Sequence, residues 1–289
     1  MTKKLYRFAG LEFAIEMPED MMYTSSFRLE PFEVKEVSAP HRFSFSWIDD
    51  LPQPEGPRLT EHPYIWICAG KNSTVRYFGA AGNDWRNANI RVEDTGMEHS
   101  ILVKRSPIPK RMNSAVVLEL LNLEHLVTQC RGVILHCAFI EYGGKAILFT
   151  APSETGKTTQ AELWKKYLGA EIINGDRAVI RVDQHGVTAE GLPMCGGSGY
   201  CKNRILPLEA VVYLEQAPAT TIRRLRGYEA FAKLWEGINS VAWDKTDVLR
   251  ASEVTEAIAN RVPIYHMPCT PDEQAVRVLE KTLRKQESV

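Results

Sequence analysis

Hydrophobic and polar positions change rhythm once along this chain. Up to about residue 112 the apolar residues come in short runs, "LYRFAG", "RFSFSW", "YIWICAG", "TVRYFGA", "NIRVED" and "HSILVKR", set apart by turn-rich stretches such as "LPQPEGP" and "AAGNDWRNAN". Runs this short, bounded by Gly, Pro, Asn and Asp, predict a mainly antiparallel β module over residues 1–112. After "SPIPKRMN" the spacing lengthens. Val117, Leu120, Leu121, Leu123 and Val127 recur at helical intervals in "SAVVLELLNLEHLVTQCRG", which predicts one helix ending near Gly132. A domain boundary near 112 follows, with a second domain over residues 113–289.

That second domain interleaves strands and helices, the order of an α/β fold. A strand "VILHCAFIEY", a Gly-Gly turn and a strand "KAILFT" lead through a loop of small residues into a helix over 157–168. The strands "AEIIN", "RAVIRVD", "VTAEG" and the buried-type "PLEAVVYLEQ" come next. Helices are expected near 227–238, 251–260 and 271–286, around a strand "VPIYHMP". There is no internal repeat.

Composition narrows the function classes. The chain has 289 residues, 44% hydrophobic and 25% charged, enough for substantial cores and too apolar for disorder. Its formal net charge is -1 and its Lys and Arg are scattered singly, so neither nucleic acid nor an anionic membrane is an expected partner. The first residues lack a signal-peptide core and no apolar run reaches a spanning length, so the expected compartment is the cytoplasm. Six cysteines form no CxxC pair and are expected to be reduced core thiols rather than zinc ligands.

Candidate chemistry centres on "KAILFTAPSETGKTTQAELWKKYLG". Gly156, Lys157 and Thr158 supply the end of a Walker A element, in which backbone N–H groups face phosphate oxygens, the lysine reaches the β and γ phosphates and the hydroxyl meets Mg²⁺. A strand feeds the loop, and Ala161, Trp164 and Leu168 mark the helix after it. Ala151 stands where the strict pattern has glycine, and Glu154 where it has a small residue. A carboxylate at ~4 Å from phosphate costs about 1 kcal/mol in water and several times that in a partly dry site. Two more residues are candidates. His136, in "ILHCAF", would lie on the strand folded back against the one entering the loop, as a site residue or a core histidine. Asp176 follows a strand and Gly175, either beside the metal and γ-phosphate or as part of a turn with Asn174.

The order "LHCAFIEYGGKAILFTAPSETGKTT" then "INGDR" resembles the HPr kinase/phosphorylase catalytic domain and its relative, ATP-dependent phosphoenolpyruvate carboxykinase. Those families have a histidine-bearing strand, a P-loop of the type GxSGxGK[ST] and an acidic pair in the next strand. His136, Ser153, Gly156, Lys157, Thr158 and Asp176 match, and "AEGLPMCGGSGYCKN" followed by "RILPLEAVVYLEQ" is similar to the kinases' glycine-containing loop and buried strand. The resemblance spans about residues 130–216. Where the families have two acids this chain has one, with Gly175 in the first place or, in the other register, Arg177 in the second.

The resemblance implies a mixed-sheet α/β P-loop domain behind the β module, and an ATP-dependent kinase acting with magnesium. Ala151, Pro152, Ser153, Glu154, Thr155, Gly156, Lys157, Thr158 and Thr159 would hold the nucleoside triphosphate. Thr158, Asp176 and His136 would hold Mg²⁺, and Asp176, Lys157 and His136 would serve catalysis. Lys202 and Arg204, in the glycine-rich loop, are expected near the phosphates. The acceptor would be a hydroxyl on a protein, a peptide or a small molecule, and assembly into a homo-oligomer would accord with the family. The alternative is a nucleotide-binding regulatory module whose chemistry has lapsed; a scaffold with an accidental loop is the third reading.

Overall fold

In a computed structural model, residues 1–21, 23–24, 28–105, 112–240 and 242–286 are described. The boundary expected near residue 112 comes just after the segment "SPIPKR", which lies outside them. The chain divides into two compact units, Met1–Asn122 and Leu123–Val289. The helix expected across this division is two, α1 (Ser114–Leu120) and α2 (Leu123–Gln129). Asn122 interrupts it with φ of 55°, a left-handed conformation that asparagine tolerates better than most residues.

The first unit contains β1 (Thr2–Phe8), β2 (Leu11–Met17), β3 (Tyr23–Thr24), β4 (His41–Ile48), β5 (Arg58–Thr60), β6 (Ile65–Ala69), β7 (Thr74–Phe78), β8 (Ile90–Thr95), β9 (Glu98–Lys104) and β10 (Met112–Asn113). Eight form one sheet in the order β1-β2-β4-β9-β8-β7-β6-β5, parallel at β2–β4 and β4–β9 and antiparallel elsewhere. In β4, Phe43 and Phe45 face the core while Arg42, Ser44 and Ser46 face out, the two-residue period of a half-buried strand. A polar chain also crosses this core. Arg76 on β7 donates from Nε to Asp94 at 2.9 Å, and His99 Nδ1 meets the same carboxylate at 2.7 Å. His99 Nε2 lies 3.1 Å from His41 Nδ1, and Phe43 stacks on the His99 ring at 4.0 Å. Burial alone would raise the Asp94 pKa; Arg76 and His99 outweigh it, and the group is held below the usual carboxylate range.

The second unit contains β11 (Gly132–Tyr142), β12 (Lys145–Thr150), α3 (Lys157–Leu168), β13 (Glu171–Asn174), β14 (Arg177–Val182), β15 (Val187–Gly191), β16 (Ile205–Gln216), β17 (Arg223–Leu225), α4 (Gly227–Trp235), β18 (Ile238–Asn239), α5 (Lys245–Arg261), β19 (Ile264–Cys269) and α6 (Glu273–Gln286). It is an α/β unit on a mixed sheet whose path closes on itself. The order β12-β11-β14-β15-β16 returns to β12 through a parallel pairing of β16 with β12. Both faces of β12 are covered. Ala146 and Leu148 join the core beneath α4 and α5, while Ile147 and Phe149 pack with Ala161 and Trp164 of α3 and Leu279 of α6. A strand buried on both sides reads as a continuous apolar run, which is why "AILF" shows no alternation.

α5 starts earlier than the apolar spacing indicates, because its first turn is polar. Asp244 caps it, accepting from Thr246 N at 2.8 Å and from Asp247 N at 3.3 Å. None of the six cysteines is in a disulfide; Cys130 is exposed and the others are buried. Among the described residues no helix is long and apolar enough to cross a membrane.

The buried charges of the first unit set its acid sensitivity. A carboxyl with a depressed folded pKa contributes stability above its unfolded value and loses it as pH falls through the folded one. Asp94→Asn leaves Arg76 buried without its counter-charge, so it is expected to cost roughly 3 kcal/mol at neutral pH. Denaturation midpoints measured against pH should show wild type and variant converging below the ordinary carboxylate range.

Candidate functional site

β12 ends at Thr150 and α3 opens at Lys157, leaving residues 151–156 to turn the chain from sheet to helix. Two of them are left-handed, Glu154 at φ 64° and Gly156 at φ 114°. Glycine adopts this conformation freely, whereas for glutamate it costs on the order of 1 kcal/mol. Backbone that changes hand within a few residues gathers its N–H groups on one side, the geometry of an anion-binding nest. The open amino end of the 12-residue α3 adds to it: Gly156, its N-cap, has no capping side chain.

Lys157 is folded back under this loop. Its Nζ donates to Ala151 O at 2.9 Å and to Pro152 O at 3.1 Å, and the residue is 7% exposed. Burial lowers its pKa, against the opposing pull of Cys137 and Asp176. Pro152, Ser153, Glu154, Thr158 and Thr159 are exposed, and Thr155 is half-buried. Thr150 Oγ1 donates to His136 O at 3.0 Å, tying the loop's entry to β11.

On that side His136 and Asp176 come together. His136 Nε2 lies 3.6 Å from Asp176 Oδ1, and Arg177 Nε lies 3.2 Å from Oδ2, a charge contact without hydrogen-bond geometry. Burial first, and the charge of Lys157 second, lower the His136 pKa; Asp176 pulls the other way. The Asp176 backbone is fixed as well, its carbonyl accepting from Cys137 N at 3.0 Å.

Asn174 builds the turn that presents Asp176. It is 0% exposed; its Nδ2 donates to Leu192 O at 2.8 Å and Met194 O at 3.1 Å, and its Oδ1 accepts from Asp176 N at 2.9 Å and Arg177 N at 3.0 Å. The turn therefore exists, and it places the carboxylate beside His136. Gly175 is needed for packing, since a Cβ there would lie 2.4 Å from Ser198 Cβ. No acid, indeed no side chain, fits at 175 while the glycine-rich loop holds this position. Gly196 also approaches closely: a Cβ on it would sit 3.0 Å from Asp176 Oδ1.

The structure does not bring Lys202 and Arg204 to the phosphate loop. Lys202 pairs with Glu171, and Arg204 with Glu141 at 2.6 Å. Glu141 lies opposite Ala146, at the end of β12 away from Thr150. The glycine-rich loop is stitched down rather than loose, with Tyr200 donating to Glu162 at 2.7 Å and accepting from Lys165 at 2.9 Å.

On the β16 side of the loop are two cavities. One, of about 370 Å³, is bounded by Glu154, Gly156, Gln160, Leu214, Cys269 and Pro271. The other, of about 480 Å³, is bounded by Ser153, Glu154, Tyr213, Glu215, Gln216 and Lys233. Glu154 borders both, and among the described residues its carboxylate has no partner. Glu236 accepts from Tyr213 at 2.8 Å and from Lys233 at 2.9 Å beside the second cavity. Gln160, Tyr213 and Lys233 belong to no motif in the sequence. Only the strand-to-helix position of the loop signalled them, because ligands of α/β sheets bind beyond the carboxyl ends of strands.

These features define an α/β unit on a mixed sheet, with a strand-to-helix loop beside the His136–Asp176 pair. The family model for SynChlorMet cassette protein ScmC matches residues 110–271, more than half of the chain, and the chain belongs to that family. Among solved structures, the Hpr(Ser) kinase/phosphatase from Coxiella burnetii is similar at 10% identity, with 54% of this chain and 99% of that chain covered and a TM-score of 0.35. No curated protein matches. A likeness as slight as that structure's carries neither fold nor function across.

The strain at Glu154 is measurable. Glu154→Gly is expected to raise stability by up to about 1 kcal/mol, the left-handed penalty removed less the entropy glycine adds to the unfolded chain. Urea denaturation of the full chain checks this, and a destabilised variant would mean that the side chain is held by contacts outweighing the strain.

Proposed function

We propose that residues 151–159 bind the triphosphate of ATP with Mg²⁺, and that the protein passes the γ-phosphoryl group to a hydroxyl of a protein, a peptide or a small molecule. The observation that carries this reading is the loop between β12 and α3, in which left-handed Glu154 and Gly156 lead into the uncapped amino end of α3 and a buried lysine, Lys157. Lys157, released from the carbonyls of Ala151 and Pro152, has the reach to meet the β and γ phosphates.

The donors suit magnesium in part. Mg²⁺ takes oxygen ligands, which the exposed Thr158 hydroxyl and the Asp176 carboxylate supply. His136 offers nitrogen where Mg²⁺ prefers oxygen, so it fits a partner of Asp176, 3.6 Å from its Nε2, better than a ligand. Bound magnesium would neutralise charge on the phosphates. Asp176, oriented by Asn174, takes the proton of the acceptor hydroxyl as that oxygen bonds to the γ-phosphorus and the bond to the β–γ bridging oxygen breaks, releasing ADP. Lys157 stabilises the charge that develops on the leaving side.

A second reading, a nucleotide-binding regulator without turnover, is favoured by the unpartnered Glu154 carboxylate at the nest and by the lone acid at Asp176. Binding is common to both readings, so it comes first. Mg-ATP titrated calorimetrically should bind wild type and lose at least tenfold in affinity with Lys157→Ala, about the worth of one charge-assisted contact. If wild type binds no Mg-ATP, both readings fall. Transfer separates them: Asp176→Asn should lower phosphoryl transfer by at least about a hundredfold while keeping its fold, and a variant as active as wild type would remove Asp176 from the chemistry.

A further inference from the structure

Ser198 holds a hydroxyl against the turn that carries Asp176. A Cβ built on Gly175 would lie 2.4 Å from Ser198 Cβ and 2.5 Å from Ser198 Oγ, so the serine fills the space directly over the residue that precedes the acid. Two residues earlier the same loop crosses the acid itself. A Cβ on Gly196 would sit 3.0 Å from Asp176 Oδ1 and 3.1 Å from its Cγ. The glycine-rich loop thus wraps Gly175 and Asp176 together, and Ser198 is the hydroxyl it brings there.

The loop fixes where that hydroxyl sits. Ser198 Oγ donates to Cys195 O at 2.7 Å and accepts from Tyr200 N at 3.3 Å. Cys195 is 0% exposed, and the Tyr200 hydroxyl is tied to Glu162 and Lys165 of α3. Ser198 itself is half-buried. Turning its χ1 from one staggered well to the next takes the hydroxyl off the Cys195 carbonyl at the loss of one hydrogen bond, with no movement of the loop. A cation stands at the same place. Arg177 Nε is 3.2 Å from Asp176 Oδ2 without hydrogen-bond geometry, and its Nη1 meets the Met194 sulfur at 4.0 Å. Among the described residues this guanidinium has no hydrogen-bonded oxygen partner, which leaves it able to receive a phosphate group.

Resting on the triphosphate-binding reading above, which brings the γ-phosphate to Asp176, we propose that the protein phosphorylates itself, with Ser198 as an acceptor hydroxyl supplied by the same chain. Ser198 Oγ bonds to the γ-phosphorus as its proton passes to the Asp176 carboxylate. The bond from phosphorus to the β–γ bridging oxygen breaks, and ADP leaves with the electron pair. The product is a phosphoserine beside Arg177. A hydroxyl held in place by its own chain needs no encounter with a partner, so the rate per chain does not depend on protein concentration.

Intact-mass spectrometry of the full chain incubated with Mg-ATP, with fragmentation to locate the modified residue, tests this beside calorimetric titration of Mg-ATP. Wild type is expected to gain one phosphoryl group, on Ser198, at a rate per chain that stays constant as protein concentration is raised. Ser198→Ala should gain none, and Asp176→Asn should gain it at least about a hundredfold more slowly. A wild type that binds Mg-ATP and gains no phosphoryl group overturns the inference and leaves the nucleotide reading standing. A phosphoryl group found on another residue, or retained by Ser198→Ala, overturns the role of Ser198. A rate that rises with protein concentration overturns transfer within the chain. Failure of wild type to bind Mg-ATP overturns the triphosphate reading and this inference with it. The wild-type mass and its map require no variant, and a thermal melt establishes whether Ser198→Ala is folded before its mass is read.

Discussion

The double burial of β12 is the constraint on which the second unit depends. Its two faces pack into different cores, and its two edges pair with β11 and β16. A strand fixed on four sides cannot slip in register without moving apolar side chains from one core to the other. The chain leaving Thr150 therefore emerges at a defined point, between a histidine-bearing neighbour and a strand whose far end opens onto two cavities. The strain at Glu154 persists because strand and helix are both immobilised on either side of the loop.

The turn at Asn174 couples that point to the glycine-rich loop. One buried carboxamide bonds the backbone of 176 and 177 on one side and that of 192 and 194 on the other. Because every donor and acceptor of the Asn174 amide is used, neither segment can shift alone without leaving a buried polar group unpaired. Residue 175 is confined as well: the space its side chain would take is filled by Ser198.

Local chemistry was legible in the sequence and distant contacts were not. Periodicity marked β11, β12 and α3, and the Gly-Lys-Thr triplet between strand and helix marked the loop. The break at Asn122 was hidden because leucines run across it without interruption, and the start of α5 was hidden because its first turn is polar. The placement of Lys202 and Arg204 depended on Glu141 and Glu171, acids far away in sequence that claim both cations. Gln160 read as a neutral helix position; only folding shows its amide oxygen sealed in with no donor. In the first unit, nothing in the spacing of Arg76, Asp94 and His99 announced that sheet pairing would join them.

The closed path of the second unit's sheet bears on solubility. An open sheet offers rows of unpaired peptide groups to other chains, a liability that grows with the length of the exposed strand. Here the long strands are joined in a ring, and among the described residues the strands left with a single named neighbour are β13, β17 and β18, none longer than four residues. Apolar strands such as "AILF" and "AVVYL" would be hazardous at an edge. Enclosed in the ring, they offer no template for intermolecular β-pairing, so aggregation by that route would first require opening the sheet.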